Sequence, residues 1–326
     1  MIRLQRHPCG VRSTMIAALL LCLTSVPSLA WPERFVRIVT PVGAGGGSDA
    51  VLRIIADRLA KRWNQAVVVD NRPGADGLLA IADFIQAQGG HTLLFAWTGV
   101  VTANSLLHDK LPYDPVRDLL PISFAVDDFM AVAASPSLAA SSLDDVVKLA
   151  RDKPGALNYA AVPGAPYLSF LDFQKGAGID LTFVPYRNPI ASVTDLIEGR
   201  IQIAIMPLAV LLGQARAGKV KLLAVASDRR TPSMPEVSTV VEQGYPRFSI
   251  AGGLGFLGPK DLDAALRERI AADVHVILSE PQVRERLADL GYVARGSSPA
   301  EYANMLAEQA KKWAEIARAH GARPSK

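Results

Sequence analysis

The sequence predicts an α/β protein built as two domains with a cleft between them. Three observations carry that prediction. Short β-rich runs alternate with helical stretches after residue 33, the alternation occurs twice, and a glycine-rich turn joins the first run to the first helix. The length of 326 residues, half of them hydrophobic, suits one large or two medium domains.

The elements follow in order. Phe35–Thr40 (FVRIVT) reads as a strand. From Asp49 to Trp63, Val51, Ile54, Ile55, Leu59 and Trp63 recur at helical spacing, with Arg53, Asp57, Arg58, Lys61 and Arg62 opposite. Lys61 and Arg62 fall in the last turn, where cations suit the helix dipole. Ala66–Asp70 is the next strand, and 71–74 (NRPG) a turn. Leu78–Gln88 is a helix and Thr92–Ala96 a strand, so this half predicts a parallel sheet with helices on both faces. In the middle, a capping box at 141–144 (SSLD) opens a helix to Asp152. Leu157–Ala160, Thr182–Val184, Ile203–Met206 and Val220–Ala226 read as strands, with Gly199 and Gly218 as helix stops. Helices over Leu262–Leu278 and Gln282–Leu290 follow. Ser298, Pro299 and Glu301 start a last one that ends near Ala319. The apolar stretches Phe129–Ala134 and Ile250–Leu257 are the expected crossings. They divide the chain into a first domain of 31–127 plus 250–326 and a second of 128–249.

Residues 1–30 stand apart. Arg3, Arg6 and Arg12 precede a short apolar core, Met15–Leu23, and Ser28-Leu29-Ala30 is a small-x-small cleavage site. This predicts a secretory leader and a mature start at Trp31. The leader holds three arginines and no carboxylate, so the net charge of +4 falls to +1 without it, and nucleic-acid binding loses its electrostatic support. Both cysteines, Cys9 and Cys22, leave with it, which excludes disulfides and thiolate metal sites. His91, His108, His275 and His320 are scattered without metal-ligand spacing, and surface or cap roles are expected for each. No G-x-S-x-G elbow is present, so no catalytic residue and no cofactor or metal is assigned. Asp228-Arg229-Arg230 reads as a solvated turn, and Lys311, Lys312 and Arg318 as one face of an amphipathic helix.

The stretch TPVGAGGGSDAV, Thr40–Val51, carries the functional signal. Backbone N–H groups at a helix N-terminus favour an anion, and glycines let it approach. A Walker loop would end in Gly-Lys-Ser/Thr, whereas Ser48-Asp49 stands here. Two readings remain. Gly45 to Ala50 matches a dinucleotide fingerprint with Asp70 at the end of the next strand, which would make a secreted oxidoreductase. The other anion is the carboxylate of a small solute.

Longer motifs bear on the choice. Trp31 to Asp49, Val67 to Gly77, Leu111 to Asp118, Lys153 to Tyr159, Val184 to Arg187 and Ala217 to Val225 resemble, across the whole mature chain, the Bug-type extracytoplasmic solute receptors. These are the binding components of tripartite tricarboxylate transporters. The resemblance implies a type II periplasmic binding protein fold. It implies a monomeric, non-enzymatic receptor in the periplasm that closes on a small carboxylate and is read by a membrane permease. It places the carboxylate on Val42, Gly43, Ala44, Gly45, Gly46, Gly47 and Ser48, with Trp97 and Thr98 facing the same cleft, and makes 70–74 a structural turn. Trp97 serves equally as pocket wall or packed core.

Three departures from the family pattern bear on the ligand. Val42 and Gly43 replace a phenylalanine and a proline, which predicts a looser loop. The loop across the cleft, with Gly164, Ala165 and Pro166, lacks the usual hydroxyls. Gln202 and Met206 stand where the family carries aspartates that can pair with a ligand amine. With Trp97 and Met206 nearby, the expected ligand has one carboxylate and an apolar or aromatic body.

Overall fold

The computed structural model describes residues 31–320 apart from 88, 109, 163, 187, 188 and 251; the leader predicted over 1–30 lies outside them. In chain order the strands are β1 (Val36–Thr40), β2 (Val67–Asn71), β3 (Thr92–Trp97), β4 (Leu119–Asp128), β5 (Met130–Ala134), β6 (Asn158–Ala161), β7 (Thr182–Phe183), β8 (Ile203–Pro207), β9 (Lys221–Val225), β10 (Gly253–Pro259) and β11 (Tyr292–Ala294). The helices are α1 (Gly47–Trp63), α2 (Leu78–Gln86), α3 (Thr98–Thr102), α4 (Asn104–Leu107), α5 (Leu143–Asp152), α6 (Ala165–Ala177), α7 (Pro189–Ile197), α8 (Leu208–Arg216), α9 (Ala264–Ser279), α10 (Pro281–Asp289) and α11 (Pro299–His320).

Two sheets result. The first has the order β11-β4-β10-β3-β1-β2 and the second β7-β6-β8-β5-β9. In the first, β1 lies parallel to β2 and β3, as expected, but β10 pairs antiparallel with both β3 and β4. The parallel sheet predicted for this half is therefore mixed. The reason is the return of the chain: β10 comes from residues beyond the second sheet and enters between two strands that precede it. The chain leaves the first sheet after Asp128 and starts the second at Met130, with Phe129 alone between them.

Each sheet carries an apolar cluster on either face. Ile38, Phe95, Val126 and Phe256 pack with α1, α9 and α10, and Val39, Leu94, Phe124 and Leu257 with α2 and α11. In the second lobe Val132, Ile203 and Ile205 pack with α5 and α6, and Ala133, Ala204 and Met206 with α8. Burial of such side chains is worth about 1.5–3 kcal/mol each. The last helix serves both lobes. Its Tyr302 and Leu306 join the first lobe's core, while Trp313 and Ile316 join the second's.

Local signals are mostly where the sequence puts them. Ser298 and Glu301 close the box that starts α11. The box on α5 lies one residue later than expected, because Ser142 caps the helix and Asp145 closes on it, while Asp145 also accepts from the Ser141 N–H and hydroxyl. Those donors hold the Asp145 pKa down at about 2. The 228–230 turn is exposed, as expected, whereas Lys312 is half-buried. Arg229 reaches Asp127 of the first lobe at 2.5 Å, and Lys312 donates to the Ser249 carbonyl. His91 lies against Trp31, at 5.9 Å between ring centres, instead of at the surface.

Candidate functional site

Strands β1 and β3 of the first sheet, and β6 and β8 of the second, are each followed by a helix: α1, α3, α6 and α8. The starts of α1 and α8 meet across the lobes. A β-carbon on Gly47 would lie 3.8 Å from the Ala209 Cβ and 3.5 Å from the Tyr292 hydroxyl, and one on Gly291 would lie 3.3 Å from the Ala209 Cα. The glycine loop thus sits at the contact between the lobes.

Buried Thr40 and Val42 fix the entry to the loop, and Gly43, Ala44, Gly45 and Gly46 are exposed. Gly45 turns the chain with φ +84, a region that L side chains rarely adopt. Gly46 caps α1 in an extended conformation and has no side chain to satisfy the orphan donors of the first turn. Two of the predicted donors are already used. The Val42 N–H donates to Thr40 Oγ1 at 3.2 Å, and the Gly45 N–H to Asp49 Oδ2 at 2.9 Å. Those of Gly43, Ala44, Gly46, Gly47 and Ser48 have no partner among the described residues. Together with the positive end of α1 they present a surface for one anionic group.

Asp49 holds this loop from below. Its carboxylate is 3% exposed and accepts from Gly45 N–H, from Arg53 Nε at 2.9 Å and from Asn71 Nδ2 at 2.9 Å. Asn71 Nδ2 also donates to the Val42 carbonyl at 2.9 Å. Burial pushes the Asp49 pKa up, but the Arg53, Gly45 and Asn71 hydrogen bonds outweigh it and hold the group below its ordinary value. The charge is thus turned inward and neutralised by Arg53, which leaves the loop face to an external anion. Asp49→Ala would leave a backbone N–H and two side chains without their acceptor and is expected to cost about 1–3 kcal/mol in urea unfolding. The lowered pKa sets the sign of the pH dependence. The stabilisation is present above the ordinary carboxyl range and is lost as pH falls through the lowered value. The gap between wild type and Asp49→Ala should therefore narrow below about pH 4.

The other predicted residues divide. Trp97 ends β3 half-buried against the first lobe's core, and Thr98 behind it is buried, its carbonyl accepting from Thr102 Oγ1. Gly164 caps α6 with φ 92; Ala165 is partly exposed and Pro166 is buried in the first turn. Met206 is 1% exposed and packs in the core beside Leu208 and Leu211, so it faces the interior of the second lobe rather than an open surface. Sequence reasoning missed three residues. Asn71 was placed in a turn, yet it ends β2 and ties Val42 to Asp49. Tyr292 places its hydroxyl 2.8 Å from Ser48 Oγ across 244 residues of sequence. Asp128 is buried at the end of β4. No local pattern marks the last two.

The family model for the receptor of the tripartite tricarboxylate transporter family matches residues 51–322. The chain belongs to that receptor family. It is a solute-binding receptor, and the family is one of receptors rather than enzymes. The receptor is similar to BugT of Bordetella pertussis, at 28% identity over 297 residues, or 90% of this chain and 91% of that one. Among solved structures it is similar to Rpa4515 of R. palustris with adipate, at a TM-score of 0.82 and 27% identity over 90% of this chain and all of the other. It is also similar to MatC of Rhodopseudomonas palustris with bound malate, at a TM-score of 0.76 and 27% identity over 88% and 99%. The periplasmic binding protein fold of these neighbours bears out the expected fold class. Nothing supports the dinucleotide reading. Asp70 of the receptor, where a ribose would bind, is engaged by Arg37 and Arg72, and Asp49 occupies the Gly45 N–H.

Proposed function

We propose that the receptor captures a small carboxylate on the loop from Gly43 to Ser48 and closes its two lobes over it. The reading is carried by the five backbone N–H groups at the start of α1 that have no partner of good geometry among the described residues, set where the lobes touch. Trp97 and Thr98 of the first lobe and Gly164, Ala165 and Pro166 of the second are the further contacts in this reading. Val42 and Gly45 shape the loop, and Met206 backs the second lobe. The moving bodies are 31–127 with 250–326, and 128–249, with the end of α11 bridging them. Closure favoured by ligand contacts makes a form that membrane permease subunits can distinguish.

The ligand proposed is one carboxylate on an apolar or aromatic body. Support comes from Trp97, half-buried at the end of β3 next to β1 in the sheet, and from Gln202 where the family pattern has an aspartate. The adipate and malate of the two R. palustris proteins agree with the carboxylate and leave the body open. The leader expected over 1–30 supports a periplasmic protein, a monomer suits a receptor that must open and close, and no helix among the described residues is long and apolar enough to cross a membrane.

A thermal-shift screen against aliphatic and aromatic acids, adipate, malate, citrate and amino acids tests the reading. A ligand at about 100 times its dissociation constant should stabilise by about 2.7 kcal/mol. Tight binding of citrate or an amino acid, with none of aromatic or long-chain acids, would sink the proposed ligand class.

A further inference from the structure

Asp128 ends β4 one residue before the chain passes to the second lobe. It is 4% exposed, and neither carboxyl oxygen has a hydrogen-bond partner of good geometry among the described residues. The groups that face it belong to the first lobe, at the joint with the second. Tyr292 on β11 lies opposite it in register, and the Tyr292 hydroxyl meets Ser48 of the ligand loop. Ala209 of the second lobe packs against the first lobe's core, and Val293 of the first against the second's. Phe129, next in sequence, belongs to the second lobe's core, and its carbonyl accepts from the Leu208 N–H at 2.6 Å. The joint beside Asp128 is thus the one that brings α8 onto the glycine loop.

No cation among the described residues is paired with it. Arg229 and Arg295 reach the adjacent Asp127, at 2.5 and 3.5 Å. The titratable or polar groups facing Asp128 are Tyr292 from β11 and the Trp97 indole from β3; Gly252, on the returning chain, accepts the Asp128 N–H through its carbonyl. Burial pushes the Asp128 pKa up to about 7, and Trp97 pulls it back only in part. Removing an unpaired carboxylate from water is costly, so the joined lobes favour the acid form.

We infer that Asp128 is a proton-sensitive element of the lobe joint: the joined form holds it as the neutral acid, and its ionisation favours parting of the lobes. The inference rests on the proposed closure of the lobes but not on the ligand. Its sign follows from linkage. The joined form binds a proton that the parted, hydrated form releases in the ordinary carboxyl range. The joined form therefore loses ground as pH rises from about 4 to about 7, and levels off above.

The test uses the ligand-free mature chain. Its radius of gyration by small-angle X-ray scattering should rise between pH 5 and 8, and Asp128→Asn should stay at the low-pH value throughout. Carbon-13 NMR of the wild type should show one aspartate carboxyl titrating well above the rest, which requires no variant to fold. A wild-type radius independent of pH, a pH response equal in Asp128→Asn, or aspartate carboxyls that all titrate in the ordinary range would each overturn the inference. Failure of the receptor to bind any carboxylate would bear on the ligand reading and leave these two measurements unaffected.

Discussion

Gly47→Leu is expected to weaken carboxylate binding about 10- to 100-fold while the ligand-free protein keeps its fold. Gly47 opens α1 without a positive φ, so its backbone accepts any side chain. A β-carbon there meets Tyr292 and Ala209 at 3.5 and 3.8 Å, which is ordinary contact. The atoms beyond it have no room in the joined lobes. They would press on the Tyr292 hydroxyl or on Ala209, or lie across the free N–H groups of Gly46 and Ser48. Overpacking of this kind costs about 1–3 kcal/mol, and about 1.4 kcal/mol is tenfold in affinity. Gly47→Ala should bind nearly as wild type. Calorimetric titration with the acid that gives the largest thermal shift makes the comparison. Equal affinity of the leucine variant would place the ligand away from this loop.

Gly253→Ala acts on the fold instead. A β-carbon at 253 would stand 1.9 Å from the Val126 carbonyl oxygen and 2.8 Å from the Phe124 ring. The oxygen belongs to a neighbouring strand and cannot rotate away, so strand β10 must shift between β3 and β4. The expected loss is about 3 kcal/mol or more, a large part of the 5–15 kcal/mol typical of a domain. Urea unfolding gives the number. Gly252→Ala is the control, since its β-carbon would meet only Thr98 Oγ1, at 3.6 Å. Equal midpoints for the two variants would mean that β10 tolerates displacement.

What could be read from the sequence follows the range of the interaction. The glycine loop, the amphipathic period of α1 and the serine, proline and glutamate that start α11 are local, and each stands where its pattern puts it. The chain passes from one sheet to the other at Phe129 and returns at Gly253, both within the apolar runs Phe129–Ala134 and Ile250–Leu257. The antiparallel entry of β10 was not legible, since strand pairing across more than a hundred residues leaves no local period. Tyr292 and Asp128 escaped for the same reason. Tyr292 follows a helix and Asp128 follows Asp127, and neither neighbour points to the lobe joint. Only the joint shows that Asp127 is paired with arginines while Asp128, among the described residues, has no cation beside it. Met206 was drawn toward the ligand by its place in a family pattern, and alternation along β8 turned it into the core.

The interior place of β10 also governs the order of assembly. Every strand of the second sheet lies between residues 130 and 225, so that sheet can pair before the C-terminal third arrives, with Trp313 and Ile316 completing its core later. The first sheet cannot. Its strands β3 and β4 face a gap until residues 253–259 arrive, and β11 must follow to cover β4. The sheet that begins the chain is therefore the last to be completed, and until residues 253–259 arrive it carries two unpaired strand edges. Such edges are open to other chains. A protein arranged this way depends on a holding factor or on swift completion most while its N-terminal half is already made, and the glycine loop acquires its final shape only when the C-terminal third has come home.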